Sequence, residues 1–185
     1  REAYSRKLSL AEQALFEDDS SYFMDLYVMD ADGGNVRQLT RSPGYDGGPF
    51  FSPDGSKITW RRFNPDGNSA EIWTMDADGS NQRQLTADAM VAWAPYYHPS
   101  GEYLIYSSNQ LGHANFELFL IDTQGAHAPV RVTNTDGTDI LPVFSPSGDQ
   151  LAWSTTRTPD GTSQLHIADW NHARALELLA NSSAH

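Results

Sequence analysis

Acidic residues recur in this chain at a spacing that could bind calcium. The segment VMDADGGNVRQLT, residues 28–40, returns almost letter for letter as TMDADGSNQRQLT, residues 74–86. Asp-x-Asp-Gly begins many calcium loops, because alternate carboxylates supply the oxygen ligands that Ca²⁺ prefers. A complete EF-type loop also needs an oxygen ligand at position 5, glycine at position 6 and glutamate at position 12.

Neither copy completes that ligand set. The three positions hold Gly34, Asn35 and Arg41 in the first copy, and Ser80, Asn81 and Ala87 in the second. We therefore predict no metal site. The motif fits a hairpin turn instead, with Gly33 and Gly79 where a positive φ costs glycine little. The first Asp of each copy can accept hydrogen bonds from N–H groups of the turn.

No other motif predicts catalysis or a cofactor. The six histidines form no H-E-x-x-H pair, and the chain lacks cysteine, a G-x-S-x-G elbow, a P-loop and G-x-G-x-x-G after a strand. His98, His166 and His172 occupy turn or strand positions of the repeat described below, so we interpret them as structural. We predict no catalytic residue and no cofactor.

Composition excludes two classes of partner. The chain has 185 residues, a formal charge of -12, and no run of three Lys or Arg, so binding of nucleic acid or anionic lipid through a basic face is not expected. No apolar run approaches the roughly 20 residues that span a bilayer, and the N-terminus lacks a signal-peptide core. Because the chain begins at Arg1, we expect a processed or trimmed piece of a longer protein.

Three motifs recur with one period along the chain. The first ends each strand-like segment with an aspartate, the second has the form P-x-(F/Y)-(S/H)-P-x-G, and the third is a closing Leu-Thr or Val-Thr. They lie at Asp30, Asp76, Asp122 and Asp169 (steps of 46, 46 and 47), at Pro49, Pro95 and Pro142, and at Thr40, Thr86 and Thr133. Repeats of this length predict one structural unit per period.

Each unit is predicted to form four short strands, a to d. Apolar and alternating segments are separated by turn sequences such as SPDG, which is typical of a type I turn. Four-stranded units of about 40–50 residues are typical of β-propeller blades. We predict an all-β single domain with blades near 1–40, 41–86, 87–133 and 134–179 and a tail at 180–185. Its core aromatic residues are Trp60, Trp73, Tyr103, Tyr106, Phe119 and Trp153.

The repeat P-x-F-S-P-D-G-x-x-I-x-W, followed by D-A-D-G and R-Q-L-T, resembles the TolB-type propeller repeat. Related repeats occur in propeller domains of prolyl oligopeptidase-like and dipeptidyl peptidase-like enzymes. The resemblance covers residues 25–179 and implies an exported bacterial protein, periplasmic or extracellular. It also implies that the catalytic residues of the hydrolase-like relatives lie in a separate domain, which this chain lacks.

The chain departs from this family in its first unit and in its blade number. The first unit has no SPDG, and SLAEQALF at 9–16 could be its remnant. About four blades are present, whereas TolB-like propellers usually have six or more. An open arc leaves strand edges unpaired. We therefore expect either a distorted four-blade closure or, preferably, an arc completed or covered by another chain or domain.

Strand order predicts which face of the propeller binds a partner. The a–b and c–d turns share one face and hardly differ between units. The d–a loops (41–48, 87–94, 134–141) and b–c loops (61–70, 107–116, 155–163) share the other face and differ, as functional loops do. Candidate partner-binding residues on this second face are Tyr45, Asp46, Arg61, Arg62, Trp93, Asn109, His113, Asn115, Asp136, Asp139 and Arg157.

Among these candidates, Asp46 and Asp139 occupy equivalent positions before the inner strand and are predicted to rim the central channel. The third unit has Ala92 there. These carboxylates could bind a cation or a basic peptide, although solvated loop acids are the preferred interpretation. Tyr45 and Trp93 are aromatic residues near the same rim, where they could anchor a partner or pack within the loops.

Three functions remain open from the sequence. The first is a noncatalytic scaffold that binds another protein or domain through its loop face. The second is the propeller part of a hydrolase or peptidase whose catalytic domain lies outside this chain. The third is small-ligand or cation binding in the channel. For WNHARALELLA, residues 170–180, we weigh a helix against the outer strand of the last blade and prefer the strand.

Overall fold

The computed structural model describes residue 10, residues 24–112 and residues 114–183. It consists of thirteen short strands and one helix in these residues. The strands are β1 (Tyr27–Val28), β2 (Arg37–Gln38), β3 (Asp46–Phe51), β4 (Lys57–Phe63), β5 (Ala70–Asp76), β6 (Arg83–Gln84), β7 (Ala92–Tyr97), β8 (Tyr103–Ser108), β9 (Glu117–Asp122), β10 (Val130–Arg131), β11 (Asp139–Phe144), β12 (Gln150–Thr155) and β13 (Gln164–Asp169), and α1 is His172–Ala180.

Each repeat unit forms its own antiparallel sheet. The second and third units are complete four-stranded sheets, β3–β4–β5–β6 and β7–β8–β9–β10, in which every strand pairs with the next one along the chain. The fourth unit has three strands, β11–β12–β13, and the first has β1 and β2. This architecture is that of propeller blades, so the predicted fold class is confirmed.

A β-bulge interrupts the first strand of each of the last three units at the same position. The register shifts between Gly47 and Phe50, between Trp93 and Tyr96, and between Ile140 and Val143. Within the bulges φ is positive, at 63° for Gly48, 52° for Ala94 and 57° for Leu141. A bulge bends its strand and re-aims neighbouring side chains, and here it lies beside the face that carries the long loops.

Consecutive blades pack face to face through apolar side chains. The third blade buries Leu104, Tyr106 and Phe119 against the second, and Leu118 and Leu120 against the fourth. Burying side chains of this size contributes roughly 1.5–3 kcal/mol each. The predicted core aromatics Trp60, Tyr103, Tyr106, Phe119 and Trp153 are buried, whereas Trp73 is only partly so.

Residues 172–180 form a helix, so the preferred strand assignment was wrong. Asn171 caps the helix by accepting a hydrogen bond from Arg174 N at 3.0 Å. Ala175 and Leu179 are buried in the core that the third and fourth blades share. Helix propensity, the cap and this burial together outweigh the blade pattern.

Within the described ranges, no helix is both long and apolar enough to cross a bilayer.

The first and last units differ most from the repeat. In the first, Leu26 and Leu39 pack on Ile58, Trp60 and Met75 of the second blade. The segment SLAEQALF lies outside the described residues except for Leu10. The boundaries proposed for the blades and the tail therefore stay predictions.

The outer face of the fourth blade is uncovered by the described residues. Leu165 and Ile167 are 78% and 68% exposed. Their equivalents in the third blade, Leu118 and Leu120, are 0% and 1% exposed because the fourth blade covers them. The described part of the arc is therefore open at this end.

Candidate partner-binding face

The two faces of the arc are separated as the strand order predicted. On the turn face, the a–b and c–d turns of the second blade meet where Ala77 N donates to Ser56 O at 2.9 Å. On the opposite face, which we call the loop face, the b–c and d–a loops meet where Ala70 N donates to Met90 O at 2.9 Å. The candidate residues that the structure describes belong to the loop face or its rim.

Asp46 is buried and ion-paired, so its interpretation as a solvated loop acid was wrong. Its side chain is 1% exposed and accepts from Arg62 Nε at 2.7 Å and Arg62 Nη2 at 2.8 Å. Trp60 Nε1 donates to the same carboxylate at 3.1 Å. A buried carboxylate needs such partners because its desolvation is otherwise costly.

Asp139 repeats this arrangement in the fourth blade. Its side chain is 0% exposed, accepts from Arg157 Nη2 at 2.6 Å and accepts from Trp153 Nε1 at 3.2 Å. Arg157 comes two residues later in its blade than Arg62 does, yet reaches the equivalent carboxylate. The two acids predicted to rim the channel are therefore already paired with arginines, and neither offers a cation a free, solvated carboxylate.

The third blade lacks the carboxylate at this position and leaves a hydroxyl group without a partner. Ala92 replaces the aspartate, and Tyr106 replaces the tryptophan. The Tyr106 hydroxyl is buried and makes no hydrogen bond to any residue that the structure describes. Burial raises the pKa of Tyr106 well above its usual value.

Tyr45, Arg61 and Trp93 form one cluster between the second and third blades. The Arg61 guanidinium carbon lies 5.0 Å from the Tyr45 ring centroid and 4.9 Å from the Trp93 ring centroid. Arg61 Nη2 also donates to the Tyr45 hydroxyl at 2.9 Å. A cation held against two aromatic rings is favourable by cation–π attraction. The sequence named all three residues but did not predict this contact.

Trp93 also lines an apolar groove between the third and fourth blades, with a volume of about 380 Å³. We call this groove the Trp93 groove. It is lined by Trp93, Ser107, Ala114, Phe116, Thr138, Ile140 and Leu141. Ser107 occupies the repeat position of Arg61. Between the third and fourth blades, the small Ser107 side chain thus leaves a space. Between the second and third blades, Arg61 fills the equivalent space.

The remaining candidates divide into structural and exposed residues. Asn109 is 4% exposed, and its Oδ1 accepts a hydrogen bond from Val91 N at 2.8 Å. It therefore holds the d–a loop 87–94 in place. Asn115 Nδ2 donates to Thr135 O at 3.2 Å. Asp136 is exposed, and His113 lies outside the described residues. Partner binding by these residues stays a prediction.

A recurrent clasp of an acid and a threonine was missed in the sequence. Thr133 Oγ1 donates to Glu117 and accepts from Leu118 N at 2.9 Å, which ties strand d to strand c. The same arrangement links Asp25 with Thr40 and Glu71 with Thr86. The sequence contained a signal for this clasp, because an acid begins three of the aligned strand c segments and a threonine ends each of those three units.

The turn face holds the Asp-Gly motifs as hairpins. Gly33 and Gly79 have φ of 85° and 94°, as predicted. Asp122 accepts from the backbone N–H of Ala126 and His127, as predicted for the first acid of the motif. In the first two units this role belongs to the second acid, Asp32 or Asp78, because the first acid accepts from an asparagine side chain instead. In the described part of the chain, no group of three His, Asp or Glu side chains could hold a metal ion.

Three histidines lie in structural settings. His98 is 4% exposed and stacks on His172 at 4.5 Å and on Tyr103 at 4.7 Å. Burial lowers the pKa of His98, which favours the neutral imidazole that bonds Gly148 O and Ser100. His166 packs against the Trp153 ring.

A second groove, of about 780 Å³, lies on the turn face between the second and third blades. Its polar side chains are engaged with one another: Arg83 donates to Gln124, Lys57 pairs with Asp76, and Thr74 bonds Tyr97. This groove therefore presents few polar groups that lack a partner.

Comparison with known proteins agrees with the repeat. No protein-family model matches the chain. A TolB homologue from Chlorobium chlorochromatii is 28% identical over 152 residues, which cover 82% of this chain and 33% of that protein. The chain is TolB-like. It spans only about a third of the length of this curated relative.

Solved structures share the propeller architecture of this TolB-like arc. A putative TolB from Agrobacterium tumefaciens superposes with a TM-score of 0.66 and 24% identity, over 78% of this chain and 52% of that one. A puromycin-hydrolyzing peptidase from Mycobacterium tuberculosis superposes at 0.57 with 15% identity, over 80% of this chain and 23% of the peptidase. At these identities the likeness concerns the fold alone.

Proposed function

We propose that this TolB-like arc is a noncatalytic scaffold that binds another protein chain or domain through its loop face. The observation that carries the proposal is the Trp93 groove, where Trp93 and Leu141 are 40% and 50% exposed beside Arg61. Exposed aromatic and aliphatic side chains at the edge of a concave site are the usual anchors of protein interfaces.

Resemblance to TolB supports a further part of the proposal, namely location. We infer that the chain acts in the periplasm or outside the cell as part of a larger assembly. The uncovered face of the fourth blade supports an additional contact with further blades or with a partner.

The peptidase with a similar propeller supports a second candidate function. In that alternative, the arc screens access to a catalytic domain that lies elsewhere in the same protein. The two candidates differ in where the bound segment comes from. A contact within one polypeptide would indicate the second candidate, and a contact with a separate protein would indicate the first.

Site-specific photocrosslinking tests the proposal. Ala114 is exposed and lines the Trp93 groove, so p-benzoylphenylalanine placed there in the full-length protein leaves Trp93 intact. In cells of the source organism we expect a discrete adduct from position 114 and none from the matched position Ser100 on the turn face. Trp93→Ser in the same background should remove the adduct while thermal unfolding shows that the fold persists.

Equal adducts from both positions, or an adduct that survives Trp93→Ser, would reject the loop-face assignment. Arg62 is unsuitable for this test because its removal would leave the buried Asp46 carboxylate without its ion pair.

A further inference from the structure

Arg61 differs from three other arginines of the chain in its charged surroundings. Arg62, Arg131 and Arg157 each pair with a buried carboxylate, at 2.7, 2.8 and 2.6 Å. Among the described residues, no carboxylate lies within ion-pair distance of Arg61, and its Nε is buried without a hydrogen-bond partner. Within the described residues, Arg61 makes a single hydrogen bond, from its Nη2 to the Tyr45 hydroxyl.

The surroundings of Arg61 hold this charge in place without neutralising it. Tyr45 and Trp93 cover the guanidinium on two sides. Gly48 provides the space, because a Cβ atom there would lie 2.3 Å from Arg61 Nη1. Burial lowers the pKa of Arg61, which reflects a positive charge that has lost water and gained no anion. An incoming carboxylate would restore that lost solvation with charge-assisted hydrogen bonds.

The chemistry next to Arg61 specifies the rest of the ligand. Trp93 contacts Arg61 and is also a wall of the apolar groove formed with Phe116, Ile140 and Leu141. A ligand that reaches both must carry a carboxylate close to an apolar side chain. A peptide has this combination wherever Asp, Glu or the C-terminal carboxylate neighbours Leu, Ile, Phe or Trp.

The net charge of the chain further limits the class of ligand that can bind at Arg61. With a net charge of -12, the chain repels polyanions such as nucleic acids and strongly acidic tracts at long range. A single carboxylate at Arg61 meets much less of this repulsion, because it brings one negative charge instead of many. One acid beside one apolar residue therefore fits better than a run of acids.

We propose that Arg61 binds a carboxylate of the partner segment while the adjacent apolar side chain of that segment occupies the Trp93 groove. This inference rests on the proposed function, because it names the chemistry that the loop face selects. It assigns Arg61 a role in specificity in addition to its packing between two aromatic rings.

A selection from a random dodecapeptide library against the full chain tests the inference. We expect the bound peptides to be enriched in Asp, Glu or a free C-terminus within two residues of a large apolar residue. For the best peptide, replacing its carboxylate by the amide should weaken binding about tenfold, as loss of a charge-assisted pair does. The same replacement should change binding to the Arg61→Gln variant by less than about twofold.

Arg61→Lys is the matched control, since it keeps the charge but not the planar donors, and it should retain part of the preference. If peptides bind and depend on Trp93 but the amide replacement weakens them equally with Arg61→Gln, the role of Arg61 is overturned and the loop-face function stands. If no peptide binds the chain, the peptide chemistry is overturned. Crosslinking from Ala114 decides separately whether the loop face has a partner.

Discussion

At the residue scale, equivalent positions in different blades satisfy buried polar groups in different ways. Asp46 and Asp139 each accept one hydrogen bond from a tryptophan N–H and at least one from an arginine. The third blade has neither acid nor arginine at these positions, and the hydroxyl of Tyr106 has no partner among the described residues. The hydroxyl of Tyr103, also in the third blade, accepts from Trp170 Nε1 at 2.8 Å. Two buried tyrosines of one strand therefore differ in whether their hydroxyl groups are hydrogen-bonded.

This contrast predicts opposite effects of removing the two hydroxyl groups. Tyr106→Phe should leave the free energy of unfolding unchanged or raise it by up to about 1 kcal/mol, because a buried unpaired hydroxyl is lost. Tyr103→Phe should lower it by about 1–2 kcal/mol, because Trp170 Nε1 then lacks its acceptor. Urea unfolding of the two variants and the parent chain measures both effects. A destabilised Tyr106→Phe would show that this hydroxyl has a partner after all.

At the element scale, the clasp between acid and threonine fixes the outer strand of the first three units. β10 is only two residues long, and its ladder with β9 is correspondingly short. Thr133 follows it and bonds both Glu117 and the N–H of Leu118. The clasp thus supplies attachment that so short a strand cannot obtain from its own ladder.

Removing the hydroxyl of the clasp should loosen the third blade. Thr133→Val keeps the shape of the side chain but leaves the N–H of Leu118 and the buried Glu117 without this partner, at a cost of about 1–3 kcal/mol. Thr133→Ser keeps the hydroxyl and should cost less than half as much. Thermal unfolding followed by circular dichroism compares the two variants. Equal losses would attribute the effect to the methyl group instead of the clasp.

The sequence predicted the elements that repeat and missed those that depend on a single contact. Period and alternation identified strands, hairpins and the two faces, because every blade imposes the same pattern. The pattern could not decide residues 172–180, where Ala and Leu suit a helix and only the packing of Ala175 and Leu179 shows which form is stable. It also could not show that Asp46 and Asp139 are buried, since their arginine partners come 16 and 18 residues later.

At the scale of the whole molecule, the described part of the arc has at one end a surface that matches its own interior. Leu165 and Ile167 project from β13 where Leu118 and Leu120 project from β9, and within the described residues only the latter pair is covered. A neighbouring blade packs on this surface in every earlier unit, so exposure here favours association.

We therefore expect the 20.5 kDa chain to associate in solution through this surface. Light scattering after gel filtration should give a mass above 20.5 kDa, and Leu165→Glu with Ile167→Glu should return it towards that value. Leu111→Glu is a matched control on an exposed leucine of the loop face and should leave the mass unchanged. A parent chain that runs as a monomer at all concentrations would contradict this prediction.

The hairpins of the turn face have a consequence for how the molecule meets a charged surface. Hydrogen bonds from Ser52 and Ser56 lower the pKa of Asp54 to about 2. Similar bonds from Lys57, Ser80 and Ser147 lower the pKa values of Asp76, Asp78 and Asp149. These carboxylates keep their charge in mildly acidic surroundings, whereas Asp46 and Asp139 are offset by arginines. An anionic surface would therefore still repel the hairpins of the turn face in mildly acidic surroundings.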